Sequence, residues 1–187
     1  MRLSDDELEA LKAEPDRTLR GLSLLARVGE HLGETPVIVG GFAVETYTQG
    51  GYVTADVDAI IRSPERAKQF LVASGFERSG RHVLSVPLDL AVEFPGRHLD
   101  DLDEHARVNR IEVPGGVVEM IGVDDLVIDR LCALVHGGAT GEDENALRLV
   151  AAHFEHLDRP YLRAKADRER VRADLDRVLR WAEDLRR

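Results

Sequence analysis

Cysteine occurs once in this chain of 187 residues, as Cys132, so no disulfide can close within it and a Cys-x-x-Cys redox motif is absent. Cys132 lies in the apolar run LCALVHG, where a small buried side chain is expected rather than a nucleophile. It stands four residues from His136 on one helical face, but two such ligands do not make a zinc site. A His-Glu-x-x-His pair, a Walker A lysine loop and a Gly-x-Ser-x-Gly elbow are also missing, which leaves the zinc-hydrolase, P-loop and serine-hydrolase classes without support. His153 and His156, and His98 ahead of Asp100 and Asp101, therefore read as surface or helix-end residues. No stretch of about eighteen apolar residues is present, so no standard membrane span is expected. The opening MRLSDDELEALKAE lacks the apolar core of a secretory signal, and a cytoplasmic location is the expectation.

Positive charge is also in short supply. Lys and Arg number 25 against 35 Asp and Glu, a net charge of −10, which argues against broad non-specific binding to nucleic acid. The balance reverses from Arg159 onward, with ten basic residues against six acidic ones. Within YLRAKADRERVRADLDRVLRWAEDL, however, Leu162, Ala166, Val171, Leu175, Val178 and Trp181 recur near helical spacing, with i,i+4 charge pairs on the other face. This pattern predicts one long amphipathic helix after Pro160, packed on its own domain or on a second subunit, as in a homodimer.

Along the rest of the chain the signals alternate between helix and strand. Ser4 with Glu7 forms a capping-box signal, and Pro15 precedes the helical pattern of Leu19, Leu22, Leu24, Leu25, Val28 and Leu32. Ser63-Pro64 opens another helix, followed by a hairpin in GFERSGRHVLSV at Ser79-Gly80 and a strand in LDLAVEF. RHLDDLDEHARVN, residues 97–109, reads as a loop, and RIEVPGGVVEMIG as a second hairpin turning at Pro114-Gly115-Gly116. The expected class is α+β, a mixed β-sheet core with flanking helices over residues 1–122 and a helical region over 123–187.

The segment with most chemical content is VIVGGFAVETYTQGGYVTADVDAII, residues 37–61. It reads as strand, tight turn, short helix and second strand. Gly40 and Gly41 open the helix, where a missing Cβ lets a ligand approach the backbone and free N–H groups attract phosphate. Asp56 and Asp58 are two apart in the second strand, so both point to one face, about 7 Å apart along the backbone. Acids are depleted in strands and costly to bury unpaired, so two of them among Val57, Ala59, Ile60 and Ile61 call for a reason. Two carboxylates so placed can share divalent cations, and with the glycines they suggest a metal–nucleotide site.

An apolar strand, Gly-Gly, a short helix and Asp-apolar-Asp in the next strand resemble the signature of the nucleotidyltransferase fold, the DNA polymerase β-like superfamily. GVDDLVIDRLCALVHG and GEDENALRLVAAHF look like the helical region of bacterial nucleotidyltransferase-like toxin and antitoxin proteins. The resemblance implies an enzyme that transfers a nucleoside monophosphate from a nucleoside triphosphate with Mg2+. It implies Gly40 and Gly41 at the phosphates, and Asp56 and Asp58 as catalytic metal ligands. It also implies a third carboxylate from a neighbouring strand. LDLAVEF alternates so that Asp89, Ala91 and Glu93 share a face, and Asp89 is favoured over Glu93 for its place early in the strand. Where many relatives carry a serine and a later lysine, this chain has Gly41 and Arg130; Arg62 and Arg130 are both within the choice for a triphosphate contact. The implied acceptor is a small molecule, a tRNA or a protein side chain. The alternative is a catalytically silent binding module of the same fold, such as a toxin–antitoxin partner.

Overall fold

The computed structural model describes residues 1–97 and 106–187. HLDDLDEH, residues 98–105, lies outside the described residues, together with most of the loop expected there and the reading of His98, Asp100 and Asp101. The chain divides into two compact units, Met1–Ala43 with Thr54–Ile121, and Val44–Val53 with Gly122–Arg187.

The first unit is built on a mixed seven-stranded sheet. Its strands are β1 (Val37–Ile38), β2 (Asp56–Ile60), β3 (Glu77–Ser79), β4 (His82–Ser85), β5 (Leu90–Glu93), β6 (Val108–Val113) and β7 (Gly116–Ile121), in the spatial order β3-β4-β5-β2-β1-β7-β6. β2 runs parallel to β5 and antiparallel to β1, while β1 runs parallel to β7. Both expected hairpins form, with Ser79 opposite His82 and Val113 opposite Gly116, each closed by a two-residue turn. β6 takes in Val108 and Asn109, the last two residues of the expected loop.

Three helices of this unit begin and end as the sequence dictates. In α1 (Asp5–Ala13) the Ser4 hydroxyl accepts from the Glu7 N–H at 3.2 Å, and the Glu7 carboxylate accepts from the Ser4 N–H at 2.7 Å. α2 (Arg17–Leu32) is capped by the Asp16 carboxylate and stopped by Gly33, while α4 (Pro64–Ala73) starts on Pro64. α2 lies close against the sheet: a Cβ on Gly21 would come within 2.8 Å of the Phe42 ring and 3.2 Å of Val57. Val57 and Ala59 are fully buried, and burial of a side chain of valine size contributes roughly 1.5 kcal/mol or more. Strand alternation then sends Asp56 and Asp58 to the face opposite α2.

The division into units falls within α3 (Gly40–Tyr47). The second unit comprises residues 44–53 and α5 (Val123–Val135), α6 (Glu142–His153), α7 (Arg159–Arg168) and α8 (Arg172–Leu185). The single helix expected after Pro160 is two. Arg170 takes a left-handed φ of 60°, and the Val171 N–H reaches back to the Ala166 carbonyl at 2.9 Å, a helix-ending bond. The break lets Leu162, Ala166, Val171, Leu175 and Val178 all be buried, whereas Trp181 remains 40% exposed beside Arg177. Lys165, expected on the charged face, is only 2% exposed and pairs with the buried Asp125 carboxylate, to which the Tyr161 hydroxyl also donates. Among the described residues no helix is long and apolar enough to cross a membrane.

Candidate functional site

β2 supplies Asp56 and Asp58, and its neighbours set what surrounds them. In the parallel pair Asp56 stands opposite Ala91 and Asp58 opposite Glu93; in the next, antiparallel pair Glu93 stands opposite His82. Residues paired across a ladder share a face, so three adjacent strands place Asp58, Glu93 and His82 in one row, with Asp56 in the row beside it. The His82 Nε2 lies 3.1 Å from an Asp56 carboxylate oxygen and 3.4 Å from one of Glu93. The Arg81 guanidinium contacts the same Glu93 oxygen at 3.0 Å and is itself 69% exposed. Asp56, His82 and Glu93 each offer a ligand atom within 4.8 Å of the others, enough for one metal ion.

Asp58 is held from the other side by Gly40. The Val39 N–H donates to the Asp58 carbonyl at 3.1 Å, bringing the start of α3 beside β2. Gly40 has a φ of +63°, and a Cβ there would lie 2.5 Å from an Asp58 carboxylate oxygen. Both the backbone conformation and the close carboxylate require glycine at this position. Sequence reasoning reserved that room for a phosphate; part of it is taken by Asp58.

The third acid is placed differently from the expectation. β5 begins at Leu90, and the exposed Asp89 precedes it with a left-handed φ of 51°, its N–H closing a 3-10 turn over Val86–Leu88. The strand alternation that would align Asp89 with Glu93 therefore does not reach Asp89. Glu93, the less favoured choice, stands beside Asp58. Sequence reasoning did not single out His82, whose nearness to these acids comes from the register of β4 on β5 and of β5 on β2.

Elsewhere, Arg62 donates to the Gly33 carbonyl at 3.3 Å, and Arg130 is engaged by Asp129 and Glu142 at 2.5 and 3.4 Å. Burial pushes the Cys132 thiol up to about 11, with Glu169 and Asp129 adding to the effect, so it is a poor nucleophile at neutral pH. The carboxylates Asp56, Asp58 and Glu93 are hard oxygen donors of the kind Mg2+ accepts, while the imidazole suits transition ions better. The donor set as a whole fits a divalent cation.

No protein-family model matches the chain, and no curated protein matches it. Among solved structures, the crystal structure of an antigenic nucleotidyltransferase-like protein from Paracoccidioides brasiliensis is similar, with a TM-score of 0.58 at 15% identity over 89% of this chain and 93% of that one. The likeness establishes a nucleotidyltransferase-like α+β fold.

Proposed function

We propose that this chain, on its nucleotidyltransferase-like fold, transfers a nucleoside monophosphate from a nucleoside triphosphate to an acceptor on a small molecule, a tRNA or a protein. The observation that carries the reading is the register of β2 on β5, which sets Asp58 beside Glu93 and Asp56 one row away, on a face free of α2. In this reading Asp56, Asp58 and Glu93 hold the divalent cation, Mg2+ by the resemblance, and the exposed Asp89 is peripheral. A cation held there would supply positive charge against the triphosphate and against the charge developing on the transferring phosphoryl group. Asp56 and Asp58 keep fixed directions because they belong to a paired strand. Gly40 and Gly41, at the opening of α3, leave backbone N–H groups for phosphate oxygens. The acceptor oxygen bonds to the α-phosphorus as the bond to pyrophosphate breaks, and the acceptor proton passes to a carboxylate or to water.

A nucleoside triphosphate labelled at the α-phosphate, supplied with Mg2+ and a pool of cellular small molecules, tRNA and protein, tests the activity. Label should enter an acceptor with release of pyrophosphate, and the Asp56→Asn, Asp58→Asn double variant should lose about 100-fold or more of the rate. Equal labelling by a folded double variant sinks the reading. The silent-module alternative draws on Arg81 and His82, which lie against Glu93 and Asp56 and occupy the carboxylates with the chain's own groups. It predicts nucleotide binding at most, and a stable complex with a protein partner such as a toxin or antitoxin.

A further inference from the structure

Among the described residues His82 is the imidazole in the cluster, and its position is hard to explain as an ion pair. A single atom, Nε2, faces Asp56 at 3.1 Å and Glu93 at 3.4 Å, with the Arg81 Nε also 3.4 Å away. One ring nitrogen carries at most one proton, and one proton serves two carboxylate oxygens poorly. Arg81 already contacts Glu93, so the imidazole is not required as that carboxylate's counter-charge. Two carboxylate oxygens close to the same ring nitrogen describe a ligand set better than a salt bridge. The two His82 spacings, 3.1 and 3.4 Å, agree: two ligands about 2.1 Å from one ion at a tetrahedral angle stand about 3.4 Å apart.

We infer that His82 is a metal ligand alongside Asp56 and Glu93, so that the site takes a divalent transition ion of the Zn2+ kind in preference to Mg2+. This deepens the transferase reading and rests on it only for the use to which the ion is put. Three donors come from three adjacent, hydrogen-bonded strands, β2, β5 and β4, so little ordering is needed on binding. Their side chains are 27%, 15% and 24% exposed, half-buried but open to an entering ion. Arg81, far more exposed, can leave Glu93 when the ion arrives. Imidazole is a ligand that Zn2+ accepts readily and Mg2+ does not, so His82 contributes selectivity as well as affinity.

Titrating the full chain with Zn2+ and separately with Mg2+ by calorimetry, and following the histidine ring signals by NMR, tests this. Zn2+ should bind at least about tenfold more tightly than Mg2+ and should shift the His82 ring signals. His82→Gln should cut Zn2+ affinity by about tenfold or more while changing Mg2+ affinity by less than about threefold. Unmoved His82 signals in the unaltered protein, or equal losses for both ions in the variant, overturn the inference, and the NMR result does not depend on the variant folding. Triphosphate binding separates the two readings. Mg2+-dependent binding with no zinc at His82 leaves the transferase reading and removes the inference; zinc at His82 with no triphosphate bound in either ion does the reverse.

Discussion

In the helical unit the buried Asp125 and Lys165 meet, with the Tyr161 hydroxyl donating to the carboxylate; in the sheet unit Asp56, Asp58 and Glu93 share a sheet face with an imidazole and a largely exposed guanidinium. The first cluster neutralises its charge internally. Burial pushes the Lys165 ammonium down to about 8, with Arg168 adding to the push and Glu169 opposing it, which still leaves it protonated at neutral pH beside Asp125. The second cluster gathers its carboxylates on a sheet face where Asp56, His82 and Glu93 remain partly reachable from water. Strand pairing fixes directions without requiring burial, and this allows a sheet to hold several carboxylates close together and open to solvent. A helix interface that buries an ion pair fixes structure and offers no ligand access.

The largest effect should follow from breaking the buried pair. Lys165→Met leaves the Asp125 carboxylate without its cation and should cost about 3–5 kcal/mol, while Lys165→Met with Asp125→Leu should recover much of that loss. Trp181 is the chain's one tryptophan and lies in the helical unit, so its fluorescence through a urea titration reports the change. Asp56→Asn and His82→Gln, at partly exposed positions, should each change the unfolding free energy read by circular dichroism by no more than about 1 kcal/mol. Comparable losses at both clusters would erase the contrast.

Next in size is the division of labour between two acids on one segment. Glu93→Gln should lower transfer of labelled monophosphate by about 100-fold, and Asp89→Asn by less than about threefold, because only Glu93 stands beside Asp58. The reverse ranking would return the third carboxylate to Asp89 and would show that the turn before β5 rearranges when nucleotide binds.

That pair also marks where the sequence ceased to be readable. Helix starts at Ser4 and Pro64 and the hairpins at Gly80 and Gly115 were legible because each is signalled by a residue with a local conformational reason. Asp56 and Asp58 were legible because strand alternation is local and acids within an apolar strand are conspicuous. The placement of Glu93 beside Asp58, with Asp89 outside the strand, was not legible, since it depends on where the turn at Val86–Leu88 ends, and Asp89 is a non-glycine residue in a left-handed conformation. His82 escaped for a related reason: its nearness to Asp56 is a matter of register across two ladders, which no single strand encodes. Arg170, another non-glycine with positive φ, hid the break between α7 and α8 in the same way. Lys165 shows the limit of a charged-face reading, because its burial depends on a carboxylate forty positions away.

The smallest effect concerns a third arrangement of charge, the capping box of α1, where a carboxylate is neither buried with its partner nor left for a ligand. Burial works to raise the Glu7 pKa, but the Ser4 N–H and hydroxyl together with His31, 3.0 Å away, outweigh it and hold the carboxyl below its ordinary 4.5. A carboxyl with a lowered folded pKa contributes stability that is complete above about pH 4.5 and lost as pH falls through the lowered value. The contribution is at most about 1 kcal/mol, since the group is partly solvated. Amide hydrogen exchange in α1 should therefore quicken below pH 4.5 relative to α2, and Glu7→Gln should show the faster exchange already at pH 6 with little further change on acidification. If α1 and α2 loosen together in acid, the capping box is not what couples the sheet unit to pH, and the contrast between locally satisfied and ligand-directed carboxylates loses its intermediate case.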